Sequence, residues 1–243
     1  MSAAPDADGA PTDRGAQKRL RGGDLAIALG IGIPAGFLLA IAVGVTLAAF
    51  GVDLAGGAGV ALSAVVYVPI GACAWYFCGV RRGGGLRALG LTRTGAGAVA
   101  LMLPLALGLT WIEGIVTLPF AQLIDEDRNP QLDLLAPGES MPPARLVWLV
   151  VAAVVIAPVV EEIVFRGLVY RYLRQRTGVA SSAIVSGALF SAVHGYLVVL
   201  PALFIFGVAL ALVTERYASI VPAIVLHATK NALALGALFL TLS

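Results

Sequence analysis

Long apolar runs dominate this chain, and they leave it very few ways to fold. Leu25 to Phe50 carries no Lys, Arg, Asp or Glu, and comparable runs recur at about Gly59–Val80, Val99–Phe120, Leu146–Tyr172, Ser181–Leu200, Ala202–Val213 (short) and Ile220–Leu242. A helix of about 20 apolar residues crosses the ~30 Å hydrocarbon layer of a bilayer. Inside that layer no water satisfies backbone N–H and C=O groups, so the spans must be helices. Composition agrees: 59% of the 243 residues are hydrophobic and 12% charged, where a soluble domain is closer to half and a quarter. Mean hydropathy is +0.94. The expected fold is an all-α membrane protein, a polytopic bundle of about seven transmembrane helices.

Three regions follow from the pattern. Residues 1–23 are rich in Ala, Asp, Gly and Pro and then basic at Arg14, Lys18, Arg19 and Arg21, the composition of a disordered cytoplasmic tail. The run after it is too long for the apolar core of a cleavable signal peptide. Residues 24–144 supply the N-terminal transmembrane helices, and 145–243 hold the ionisable residues discussed below. Loops alternate in charge. Arg81, Arg82, Arg87 and Arg93 follow the second span, and Arg171, Arg174 and Arg176 follow the fourth. Gly51–Ala58 has no Lys or Arg, and Gln122–Arg145 is mainly acidic, its Arg128 and Arg145 being the one blemish in the alternation. The positive-inside rule then places the N-terminus in the cytoplasm and the C-terminus outside a plasma membrane. The net charge of +2 says little about partners, and no nucleic-acid partner is indicated. Cys73 and Cys78 do not share a helix face, which argues against a mutual disulfide.

Against this apolar background a few ionisable residues stand out, because a charge at bilayer depth costs several kcal/mol, roughly 3 to above 10. Glu161 and Glu162 are adjacent in the fourth run, with Arg166 one turn after Glu162. Glu162 and Arg166 face each other at i, i+4 and can neutralise one another. Glu161 lies about 100° round the helix and is left for another task. Pro158 weakens the helix just upstream and frees a carbonyl that a neighbour or water must satisfy. Phe190 and His194 are one turn apart on an unusually small-sided fifth run, and His227 and Asn231 share a face of the seventh. A carboxylate that takes a proton from water, with His and Asn to hold the water and stabilise an oxyanion, makes a workable peptide hydrolase. The same set offers Zn²⁺ two imidazoles and a carboxylate, from His194, His227 and Glu161. Each residue also has a plainer reading: a buried salt bridge, a helix-packing hydrogen bond, bundle packing by Phe190, interhelical glue by Asn231. Their concentration on neighbouring spans is what those readings leave unexplained.

Glu161-Glu162-Ile-Val-Phe-Arg166, Phe190-Ser-Ala-Val-His194 and His227-Ala-Thr-Lys-Asn231 resemble the EExxxR, FxxxH and HxxxN/D motifs of the CPBP intramembrane protease family, also called the CAAX protease and bacteriocin-processing or Abi family. All three match in order over roughly Val147 to Leu242. The resemblance implies a helical bundle with the site inside the membrane, open to the cytoplasmic leaflet. It implies that Glu161 activates water and that His194, His227 and Asn231 complete the site. It implies a peptide or membrane-protein substrate, prenylated in some members. The family has been described both with and without zinc; Asn is a poor zinc ligand, which tilts the reading towards a metal-free glutamate mechanism. Two other classes fit the residues less well: a proton-coupled transporter, which would favour internal repeats that are not evident, and a peptide-binding immunity or scaffold protein without turnover. Lys230, deep in the seventh span, needs a buried partner. The candidates are Glu161, Glu162 and Glu113. Glu113 in the third span, or a hydrated path to the cytoplasm, is favoured over Glu161, because a cation beside Glu161 would weaken it as a base. A tilted helix that lets Lys230 reach water is the plainer alternative.

Overall fold

The computed structural model describes residues 19–52, 54, 57–81, 83–124 and 143–242. The basic tail before Arg19, and most of the acidic loop before Arg145, lie outside the described residues. Among those residues the protein is helical throughout, with no strand. The helices are α1 (Gly22–Ala49), α2 (Ala58–Val80), α3 (Ala96–Leu123), α4 (Pro143–Arg174), α5 (Val179–Ala192), α6 (Leu200–Tyr217) and α7 (Val221–Leu242). Helices α1 to α4, and the segment Leu197–Tyr217 that contains α6, are long and apolar enough to cross a membrane. Their outward faces carry Phe37, Leu38, Trp111, Ile115 and Leu118, all more than half exposed, which is a surface made for lipid rather than water.

One expected span has different limits. Ser181–Leu200 reads as a single run, but α5 has only 14 residues and stops at Ala192. The chain turns through His194 and Gly195, whose φ of +73° favours glycine. A short 3₁₀ turn at Leu197–Val199 follows, and α6 opens with Pro201 in its first turn, where a missing N–H costs nothing. Helix α6 is accordingly longer than the short run read from Ala202–Val213, with 18 residues. The hydropathy of the turn hides it, because Tyr196, Leu197 and Val199 are as apolar as a span.

Helices α5 and α6 are in backbone contact. A Cβ on Gly207 would come within 2.8 Å of the Gly187 Cα, so only glycine allows this approach. The main core joins Met102, Ala106 and Leu109 of α3, Phe190 of α5, Phe206 and Leu210 of α6 and Leu226 of α7. A second core ties Leu20, Ala28 of α1 and Cys78 of α2 to Leu168 of α4 and Ile220.

Helix α4 is irregular where the sequence suggests it would be. Val151–Ile156 and Ile163–Tyr170 are wound as π-helix, on either side of the α-helical turn Ala157–Glu162. The Ala157 N–H reaches back five residues to the Ala152 carbonyl. The next bond in that register would join residue 158 to Ala153, and residue 158 is proline, which has no N–H to give. π-helical turns cluster at functional sites, and these two flank the paired glutamates.

Candidate active site

Helix α4 contributes three charged groups to one enclosed space. Glu162 and Arg166 are fully buried, and Arg166 Nη1 donates to Glu162 Oε1 at 3.0 Å. Arg166 Nη2 donates to the Gly207 carbonyl at 2.8 Å. The guanidinium also lies over the Phe190 ring, 4.5 Å from its centroid. Thus the glycine that lets α6 approach α5 also presents its carbonyl to the buried cation, and Phe190 covers it. The pair read at i, i+4 from the sequence is present, with two partners that the spacing alone does not name.

His227 of α7 meets both glutamates. Its Nδ1 lies 2.9 Å from Glu162 Oε1, the oxygen that also accepts from Arg166. That oxygen, already accepting from Arg166, is the acceptor here as well. His227 Nδ1 is therefore assigned as the donor, which leaves Nε2 with a lone pair. That Nε2 lies 3.8 Å from Glu161 Oε2, too far for a direct hydrogen bond. Glu161 Oε1 accepts from the Tyr67 hydroxyl of α2 at 2.8 Å. The Glu161 side chain keeps 16% exposure where that of Glu162 has none, so the two adjacent carboxylates occupy different environments.

The two histidines flank one phenyl ring. Phe190 stands 4.7 Å from the His194 ring and 5.7 Å from the His227 ring, centroid to centroid. His194 lies in the turn after α5, and its Nδ1 is 2.7 Å from the Phe190 carbonyl. With Nδ1–H given to a carbonyl, His194 Nε2 is the nitrogen left to act as acceptor. Phe206 packs edge-on to His227 at 5.3 Å. Asn231 Nδ2 donates to the Ala153 carbonyl at 2.8 Å, the carbonyl that Pro158 leaves without a donor. Lys230 Nζ sits 2.8 Å from Glu113 Oε2 and 4.6 Å from the Phe206 centroid, the partnership favoured from the sequence.

Among the described residues no three His, Cys, Asp or Glu side chains gather as a group that could hold a metal ion. Of the zinc set read from the sequence, His194, His227 and Glu161, His227 turns one ring nitrogen to Glu162.

Two contacts were beyond sequence reasoning. Tyr67 offers a signal, a hydroxyl in an apolar run that must find a partner, but nothing in the sequence names that partner. The Ala153 carbonyl offers the proline five residues later, without saying which side chain answers.

Comparison with known proteins agrees with the motifs. No curated protein and no solved structure matches the chain. Residues 143–233 match the family model described as type II CAAX prenyl endopeptidase Rce1-like. This stretch contains all three motifs and runs from the start of α4 into α7. Residues 143–233 form a domain of the CPBP, or CAAX protease, family.

Proposed function

We propose that the protein is an intramembrane endopeptidase in which Glu161 activates a water molecule against a peptide bond of a membrane-associated substrate. The observation that carries this reading is the gap between Glu161 Oε2 and His227 Nε2, 3.8 Å. One water about 2.8 Å from each atom donates one proton to each, which orients its lone pair for attack. Glu161 takes the proton as the water adds to the scissile carbonyl, and returns it to the leaving amine. Glu162 and Arg166 hold His227 in the tautomer this needs. His194, packed on the same Phe190 ring as His227, keeps its Nε2 free of the Phe190 carbonyl that holds Nδ1. Asn231 has a second amide proton beyond the one given to Ala153, suited to the developing oxyanion. In this reading no step is routed through a metal.

The chain is read as multi-pass, with about seven spans including α7 and an N-terminus in the cytoplasm. Residues 24–144 serve as the supporting half and 145–243 as the catalytic half. Helix α5 has 14 residues, about 21 Å at 1.5 Å each, so it stops short of a ~30 Å layer. The turn carrying His194 then lies within the membrane. The family description points to a lipidated C-terminal peptide as the substrate class to test first.

The experiment is turnover of a quenched farnesylated CaaX reporter peptide by purified protein in liposomes, alongside Glu161→Gln. The variant should keep the parent's melting temperature and lose about two or more orders of magnitude in rate, the usual scale for general-base catalysis. Parent-like turnover by Glu161→Gln overturns the assignment. Where the parent leaves the reporter intact, comparison of membrane peptides from cells carrying the parent or Glu161→Gln identifies the substrate.

A further inference from the structure

We infer that Tyr67 is a positioning residue for the base: its hydroxyl fixes one carboxylate oxygen of Glu161 and so turns the other towards His227. The inference rests on Glu161 being the base. It assigns part of the site to the half of the chain that lies outside residues 143–233, where the family match and all three motifs fall.

Three observations carry it. The first is the contact itself, Tyr67 Oη to Glu161 Oε1 at 2.8 Å. Glu161 Oε2 meanwhile faces His227 Nε2 at 3.8 Å, so the two oxygens of one carboxylate have separate tasks. A hydrogen bond at one oxygen restrains rotation of the carboxylate, and a misplacement of about 1 Å in a catalytic group costs roughly a hundredfold in rate. The second is that Tyr67 is placed by its backbone. Pro69 supplies no N–H to the preceding turn, but Val66 keeps helical dihedrals (φ −55°, ψ −36°) and α2 runs on through Tyr67. A Cβ on Gly36 of α1 would collide with the Val66 carbonyl, and one on Gly32 would meet the Ile70 Cα at 3.1 Å. α1 therefore packs closely against the α2 backbone on both sides of Tyr67 and sets where it stands. The third is the contrast with Glu162, which has Arg166 as its own cation. Lys230, the other deep cation near His227, is engaged with Glu113. The base is thus held by a neutral hydroxyl, which orients it without the charge that would weaken it.

A tyrosine that merely hides its hydroxyl in an apolar layer would make the same contact, so the test reads properties that a packing role would not move. Tyr67→Phe removes only the oxygen. In liposomes with the quenched farnesylated CaaX reporter, kcat should fall roughly ten- to hundredfold, the worth of one hydrogen bond to a charged group. KM and melting temperature should stay with the parent. By infrared spectroscopy, the carboxylate band that disappears in Glu161→Gln should move in Tyr67→Phe. An unmoved band overturns the inference whatever the activity, and so does parent kcat in Tyr67→Phe while Glu161→Gln is inactive. Should Glu161→Gln turn over like the parent, it is the reading of Glu161 as base that fails, along with the inference built on it. Should the parent leave the reporter uncut, kcat is read instead on the substrate identified by the comparison of membrane peptides, with the same two outcomes.

Discussion

Asn231 of α7 donates its side-chain amide to the carbonyl of Ala153 in α4, at 2.8 Å. In the π-helical register around Ala157, that carbonyl would pair with the N–H of residue 158, and Pro158 has none. A side chain from another helix stands in for a missing backbone donor. The bond fixes α7 to α4 a little over two turns before the paired glutamates, where Pro158 interrupts the backbone bonds of α4.

This relationship predicts a compensation. Asn231→Ala leaves a carbonyl unpaired in an apolar layer and should cost about 1 kcal/mol of stability. In a Pro158→Ala background residue 158 regains its N–H, and the same Asn231→Ala change should cost clearly less. Melting temperatures of the parent, both single variants and the double variant measure the coupling. Additive shifts would show that Asn231 does not replace the proline's donor. Loss of activity should persist in the double variant, because the second amide proton is lost as well.

Arg166 should matter more for folding than the base does. Arg166→Ala leaves Glu162 buried, with only His227 facing it, and the removal of one partner from a buried pair costs roughly 3–5 kcal/mol. It also removes the side-chain donor that reaches the Gly207 carbonyl of α6. Glu161→Gln keeps the shape of its side chain and an oxygen for Tyr67. Thermal melting of both proteins in the same detergent should therefore show Arg166→Ala far below Glu161→Gln. A reversed order would mean that the two glutamates have exchanged roles.

Lys230 and Glu113 form a second buried pair, 2.8 Å apart and shared between α7 and α3. Lys230→Met and Glu113→Met should each lower the melting temperature, since each leaves one charge without its counterion. The double change to Met should recover much of the loss, because two apolar groups of similar volume replace a pair whose desolvation is costly. Strictly additive losses would release Lys230 from this pairing. The Phe206 ring, 4.6 Å from Lys230 Nζ, adds a cation–π contact that the double variant also gives up, so recovery should be incomplete.

Much of the protein was legible in its sequence because the bilayer constrains so strongly. Apolar runs have to be helices where no water reaches the backbone, so the helices of α1 to α4 and α7 follow from hydropathy. The i, i+4 spacing alone brings Glu162 to Arg166. The need of a buried ammonium for a counterion left Lys230 with Glu113 or a hydrated path to the cytoplasm, and the packing of α7 on α3 gives it Glu113. The three motifs mark the half of the chain where the family match falls. Hydropathy could not find the end of α5, because the turn at His194 and Gly195 lies between Val193 and the apolar residues Leu197–Leu200 and is set by one positive φ and the proline of the next helix. Nor could spacing along one helix reveal what arrives from another. The choice of His227 Nδ1 for Glu162, the hold of Tyr67 on Glu161 and the answer of Asn231 to Pro158 each join residues more than 60 positions apart. Those pairings depend on how α2, α4 and α7 pack, and packing is decided by glycines and side-chain volumes summed over the whole bundle, which no local pattern in the sequence records.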